Sequence, residues 1–174
     1  MSDITCFYEP ITGPGWERRD QLGDFQSYRK HPHLGEDWGF KTGSAGKPIR
    51  NIHAGKVTKI ENGEALGWTA YVKLICPNKC EFDGATIEYN HMQEKPALKV
   101  GQELLAGKDL IGKIGATGSA LSASGANHLH ASMAFADTPH GQPLAKKISI
   151  VKAIDRSSKQ RKANMEAKKA AENV

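Results

Sequence analysis

Two of the seven histidines in this sequence sit together in His128-Leu129-His130. On an extended strand, residues i and i+2 point to one face. The pair therefore turns both imidazoles toward one site, while Leu129, Ala131 and Met133 face a core. A lone strand histidine is ordinarily structural, but a same-face pair following a Gly/Ser-rich loop suits a metal site. A second signal is His33-Leu34-Gly35-Glu36-Asp37. Here a histidine and an aspartate, with a glycine between them, can bend round one cation. Zn²⁺ accepts imidazole nitrogen and carboxylate oxygen at about 2.0–2.2 Å. Taken by itself, this segment reads first as an exposed polar turn, and His31 is an alternative donor held further off by Pro32. The third signal is Tyr89-Asn90-His91, in a β-prone run where period-2 alternation puts Ile87, Tyr89 and His91 on one face. His53 and His140 lack a comparable setting and are read as structural.

Combined, His33, Asp37 and His130 offer three protein donors and leave a fourth position for water, the composition of a catalytic zinc site. Two neutral imidazoles and one carboxylate leave such a site net positive. That charge lowers the pKa of a water held there toward about 7 and polarises a carbonyl. His128 and His91 remain to move protons or to stabilise an oxyanion.

The elements that must carry these residues are short strands between turns. Pro48–His53 and Lys56–Ile60 flank Ala54-Gly55. Trp68–Cys76 is a longer run with Ala70, Val72 and Leu74 on one face. Ala85–Met92, Leu110–Ile114 and His128–Phe135 follow, the last two separated by the Gly/Ser/Ala-rich loop 115–127. Eighteen glycines and eight prolines fit this punctuation. The expected class is mainly β, a small antiparallel sheet domain over residues 1–154, with residues 1–30 as a turn-rich lead-in wrapped on it. Ile148, Val151 and Ile154 can seat the start of a helical or disordered basic Ala/Lys-rich tail, residues 155–174.

The formal charge of +5 is unevenly spread. Residues 1–150 carry 17 basic and 16 acidic side chains, whereas 151–174 carry 7 and 3. A nucleic-acid-binding domain shows a basic stripe in its folded part, and this body has none, so no nucleic-acid partner is expected. No run of eighteen apolar residues exists, so no membrane insertion is expected.

The motifs, in order, resemble the lysostaphin/LytM-type zinc metallopeptidases, which cut peptide bonds in bacterial peptidoglycan. That family shows H-x-G-x-D, a Gly-rich strand segment, Y-x-H, G-x-x-G-x-T-G and H-x-H. Here these stand as His33–Asp37, residues 46–57, Tyr89-Asn90-His91, Gly112-Lys113-Ile114-Gly115-Ala116-Thr117-Gly118 and His128-Leu129-His130. The resemblance spans roughly residues 31–135. It implies a LytM-type β domain with a site in a groove walled by loops. It also implies one Zn²⁺ held by His33, Asp37 and His130, catalytic roles for His128 and His91, and a peptidoglycan peptide as substrate.

Three departures bear on which bond is cut. Ala131-Ser132 follow the last motif where the family often has an aromatic and an acid. The stretch from Gly118 to His128 is long and holds Ser119, Ser122 and Ser124. The connection Cys76-Pro77-Asn78-Lys79-Cys80 is also long. Cys76 and Cys80 can pair or remain thiols, and with Cys6 as the one other cysteine, thiol counting argues against a second zinc site. The first residues show no basic n-region and no apolar h-region, so no signal peptide is read. The expected context is cytoplasmic synthesis with release to the wall, as a bacteriophage lysin or virion-associated enzyme. The competing reading, a non-catalytic LytM-fold wall-binding or activator module, predicts loss of at least one of His33, Asp37, His128 and His130. All four are present.

Overall fold

In a computed structural model, residues 6–76, 80–122 and 127–172 are described. Among these residues nine strands are followed by one α-helix: β1 (Trp16–Arg18), β2 (Glu36–Phe40), β3 (Pro48–Arg50), β4 (Gly55–Gly63), β5 (Gly67–Leu74), β6 (Thr86–Met92), β7 (Glu103–Leu104), β8 (Leu110–Lys113), β9 (Leu129–Ala134) and α1 (Ile150–Ala171). Seven strands form an antiparallel sheet in the order β1-β2-β9-β6-β5-β4-β7, and β3 pairs with β8 separately. The domain is mainly β, as its short β-prone runs predict.

Alternation along the central strands divides the sheet. Leu129, Ala131 and Met133 of β9, Ile87 and Tyr89 of β6, Ala70, Val72 and Leu74 of β5, and Trp38 of β2 join one buried apolar cluster with Ile49, Ile52, Ile111 and Ile114. The opposite side carries a row of polar groups, aligned by strand register. Asp37 pairs with His130, and His130 pairs with Asn90 on its other side. From the lead-in, Phe7 and Ile11 are in the core. Its backbone is tied down by Tyr8 N donating to Ile52 O and Arg50 N donating to Pro10 O.

The helix α1 runs unbroken through residue 154. Ile150, Val151, Ala153 and Ile154 bury its first turn and a half. Glu36, only 2% exposed, seats that end: Ser149 Oγ donates to Glu36 Oε1 at 2.6 Å and Val151 N donates to Oε2 at 3.0 Å. A carboxylate there satisfies a backbone donor left open at the helix N-terminus and meets the positive end of its dipole. Contacts continue past residue 154. Ser157 Oγ accepts from Phe7 N, and Arg161 donates to Phe7 O. No helix among the described residues is long and apolar enough to cross a membrane.

Candidate metal centre

Antiparallel pairing of β2 and β9 sets Asp37 directly across from His130. His130 Nδ1 lies 2.8 Å from Asp37 Oδ1 and 3.1 Å from His33 Nε2, which is itself 3.4 Å from Asp37 Oδ1. All three side chains are buried. His33, Asp37 and His130 thus offer three ligand atoms within 4.8 Å of one another. His31, the alternative donor, is exposed, with its Nδ1 against Pro32 O.

The outer hydrogen bonds fix which ring nitrogens carry protons. His33 Nδ1 faces Gln21 O at 3.2 Å and must donate to that carbonyl, so its Nε2 bears the lone pair. Ser132 Oγ donates to Leu34 O at 2.9 Å and lies 3.4 Å from His130 Nε2. It is placed to accept from His130 Nε2–H, leaving the lone pair on Nδ1. Two imidazole lone pairs then face each other at 3.1 Å beside a carboxylate. Without a proton or a cation between them that arrangement is repulsive, so the donor set fits a divalent metal. Burial alone would raise the Asp37 carboxyl. In metal-free protein a proton carried by His130 or His33 toward Asp37, with the nearby charge of His128, instead holds it well below the usual carboxylate range. Burial also lowers His130, against the pull of Asp37. Both side chains therefore favour the deprotonated forms that a metal would require.

The glycine of His33–Asp37 has a steric reason. A Cβ at Gly35 would stand 2.5 Å from His130 Nε2 and 2.6 Å from Ala131 O. Gly35→Ala is expected to push His130 off its position and weaken zinc binding by about 10–100-fold. It should also destabilise the fold by about 1–3 kcal/mol through overpacking. Zinc titration of the purified variant checks this, and wild-type affinity would show that the ring position is not critical.

His91 does not follow the alternation read from its sequence. The pairing of β5 with β6 slips between Trp68 and Ala70, which match Met92 and Tyr89, so β6 bulges at Asn90-His91. His91 takes φ 61°, among the described residues the one non-glycine with positive φ. Tyr89 stays in the core, its hydroxyl donating to Asn51 Oδ1. His91 leaves that face, and its ring centroid stands 5.1 Å from His128 and 5.9 Å from His130. A bulge commonly re-aims one side chain in this way, and the left-handed backbone stores about 1–3 kcal/mol. The ring is held by Nδ1–H donating to Thr117 O at 2.9 Å. Thr117 is anchored in turn, with Oγ1 donating to Met92 O at 2.6 Å and accepting from Trp68 N. The G-x-x-G-x-T-G segment therefore serves as the bracket for His91. Burial, followed by the charges of His128 and His130, lowers His91 to about 4. His128 stands at the rim, its Nε2 3.8 Å from Asp37 Oδ1 and its side chain 16% exposed.

Three neighbours of the site have no local sequence signal. Ser132, where the resemblance led one to expect an acid, orients His130. Arg29 sets Nη2 2.7 Å from Asp20 and 3.8 Å from Asp37 Oδ2. His140, read as structural, brings its ring centroid to 5.6 Å from His130. The loop after β9 delivers it there, and its backbone N–H donates to the buried Glu88 carboxylate. Its Nδ1 is buried without a partner, and burial lowers its pKa to about 4. A depressed imidazole contributes stability that is lost as pH falls from the ordinary histidine range through the folded value. In metal-free protein, His140→Gln should therefore lose less stability than wild type between pH 7.5 and pH 4.5 in urea titrations. Equal losses would uncouple its charge from folding. Of the long loop before β9, residues 123–126, Ser124 included, lie outside the described residues, as do 77–79 between Cys76 and Cys80.

The sequence profile of peptidase family M23 matches residues 31–144. The chain belongs to peptidase family M23. Solved structures share its fold. The catalytic domain of the antimicrobial peptidase lysostaphin from Staphylococcus simulans superimposes with a TM-score of 0.61 at 21% identity, over 80% of this chain and 92% of that one. The catalytic domain of the prophage-encoded M23 protein EnpA from Enterococcus faecalis gives 0.60 at 22%, over 82% and 94%. A chain of the SpoIIQ–SpoIIIAH pore-forming complex gives 0.64 at 15%, over 87% and 92%. This M23 fold is therefore shared by peptidases and by a component of a pore-forming assembly, and site chemistry must distinguish the roles.

Proposed function

We propose that this M23 chain is a zinc-dependent endopeptidase acting on the peptides of bacterial peptidoglycan. The observation that carries the reading is the convergence of the His33 Nε2 and His130 Nδ1 lone pairs with the Asp37 carboxylate. Two further imidazoles, His91 and His128, stand beside them outside the ligand set. A wall-binding or activator module has no use for a complete donor set with two proton carriers.

Zinc, if bound, would be held by His33, Asp37 and His130 and would supply the positive charge that activates water and polarises a peptide carbonyl. His91 is neutral at neutral pH with its proton on Nδ1, committed to Thr117 O, so Nε2 is its basic atom and takes the proton of the attacking water. His128, at the rim, donates to the developing oxyanion and passes a proton to the leaving amine. Asp37 stays ionised throughout and holds His130 in register. The prophage origin of the EnpA relative supports a bacteriophage lysin or virion setting.

The test is digestion of purified peptidoglycan of several wall types, with and without a chelator, followed by mass spectrometry of the released fragments. Metal-dependent release of peptides with new amino and carboxyl ends is expected. Intact walls of every type would overturn the reading.

A further inference from the structure

A second group of metal donors lies at the other end of β5. That strand begins at Gly67, beside Thr117 and His91, and ends at Leu74, just before Cys76. Eight residues of strand span about 23 Å, so the two groups are well separated. His53 Nε2, Cys76 Sγ and Cys80 Sγ all lie within 4.8 Å of one another, with His53 Nε2 3.9 Å from Cys76 Sγ. His53 is fully buried, and its Nδ1 faces Ala54 O at 2.8 Å. That carbonyl only accepts, so Nδ1 carries the proton and the Nε2 lone pair is the atom near sulfur. This is the tautomer that a metal-bound histidine uses, fixed by the bond that usually fixes it. Cys76 N donates to Asp83 Oδ1 at 2.9 Å, which pins the backbone that carries the first sulfur. The cysteines are spaced C-x3-C, within the range of zinc ligands.

In this structure Cys76 and Cys80 are joined as a disulfide. We propose that in the reduced chain His53, Cys76 and Cys80 bind a structural Zn²⁺, with Cys6, which stands outside that 4.8 Å group, moving in as the fourth ligand. Zn–S and Zn–N distances of about 2.3 and 2.0–2.1 Å put tetrahedral S and N donors about 3.5 Å apart, near the observed His53–Cys76 separation. Cys6 is buried, lines the same surface cavity as Cys80, and adjoins Phe7, whose ring packs 4.6 Å from that of His53. Thiol counting missed this site because the fourth donor is a histidine remote in sequence from all three cysteines. Soft thiolates with one imidazole and no position left for water suit zinc in a structural role. The ion would join the lead-in, the turn before β4 and the connection after β5. Each binding thiol gives its proton to solvent and no electron moves. The disulfide is the two-electron oxidised alternative, opened in the test by a phosphine reductant, so metal loading belongs to reducing conditions.

The test is made on full-length protein purified reduced and without chelator. Metal analysis should give two zinc equivalents per chain. Replacement with Co²⁺ should give a thiolate-to-cobalt charge-transfer band, which the sulfur-free His33–Asp37–His130 site cannot produce. Zinc should shield Cys76 and Cys80 from iodoacetamide, and chelation should expose them, a readout that needs no variant. Cys76→Ser/Cys80→Ser should lose one zinc equivalent and the band while keeping the other equivalent. Cys6→Ser should weaken the band in proportion to losing one thiolate of three, and an unchanged band would remove Cys6 from the ligand set. One zinc equivalent, no thiolate band and unshielded cysteines in the reduced wild type would overturn the site and leave the peptidase reading intact.

Discussion

His130→Ala is expected to lose one zinc equivalent and all measurable wall cleavage together. His130 is the hub of the donor set. Its Nδ1 lies 2.8 Å from Asp37 and 3.1 Å from His33, and it occupies the register position between Asp37 and Asn90. Removing an outer partner of a metal ligand typically costs 10–100-fold in affinity, and removing the ligand itself costs more. The Asp37 carboxylate would also be left buried without the metal, or in the metal-free chain the proton, that His130 brings beside it, a loss of about 1–3 kcal/mol. Zinc analysis and a thermal melt should be read alongside activity. Loss of zinc from a chain that still melts cooperatively is the expected result. A His130→Ala protein that keeps its full zinc complement would remove His130 from the ligand set. With the thiolate site also loaded, the count should fall from two to one, so the two sites report separately.

How much of this was legible in the sequence depends on how local the cause is. The β9 strand is legible because His128-Leu129-His130-Ala131-Ser132-Met133 alternates, and the structure keeps Leu129, Ala131 and Met133 in the core. The β2 strand is not. Glu36-Asp37-Trp38-Gly39-Phe40 holds two carboxylates and a glycine, residues depleted from strands, yet all five are buried. The Glu36 carboxylate is stabilised by the start of α1, more than a hundred residues away, and Asp37 by His33 and His130. The start of α1 and His130 lie outside any local window, and only His33, four residues from Asp37, falls within one. Likewise Tyr89-Asn90-His91 gives the strand but not the bulge, because the slip is set by how β5 pairs with β6. His140 arrives through a loop fixed by Glu88, a buried carboxylate that sequence gives no reason to place there. The histidine motifs could be read because zinc chemistry restricts residue types and order. Their supports Ser132 and Arg29 follow from packing.

His91→Ala and His128→Ala should separate catalysis from metal binding. Neither ring belongs to the three-donor cluster, so both variants should keep the active-site zinc equivalent. Each should lose about 10²–10⁴-fold in cleavage rate, the range for a positioned acid or base. The His91 variant needs a backbone control. At φ 61° alanine tolerates the left-handed conformation less well than histidine, so lower stability could masquerade as lost chemistry. Asparagine tolerates that conformation better and cannot act as a base at neutral pH. His91→Asn should therefore melt near wild type and remain as inactive as His91→Ala. Recovery of activity in the asparagine variant would mean that His91 serves the fold rather than the proton. For His128, at the rim and bridged to Gly115, no such control is needed. Full activity in His128→Ala would leave the leaving amine to take its proton from water, whereas loss of zinc in either variant would move that histidine into the ligand set.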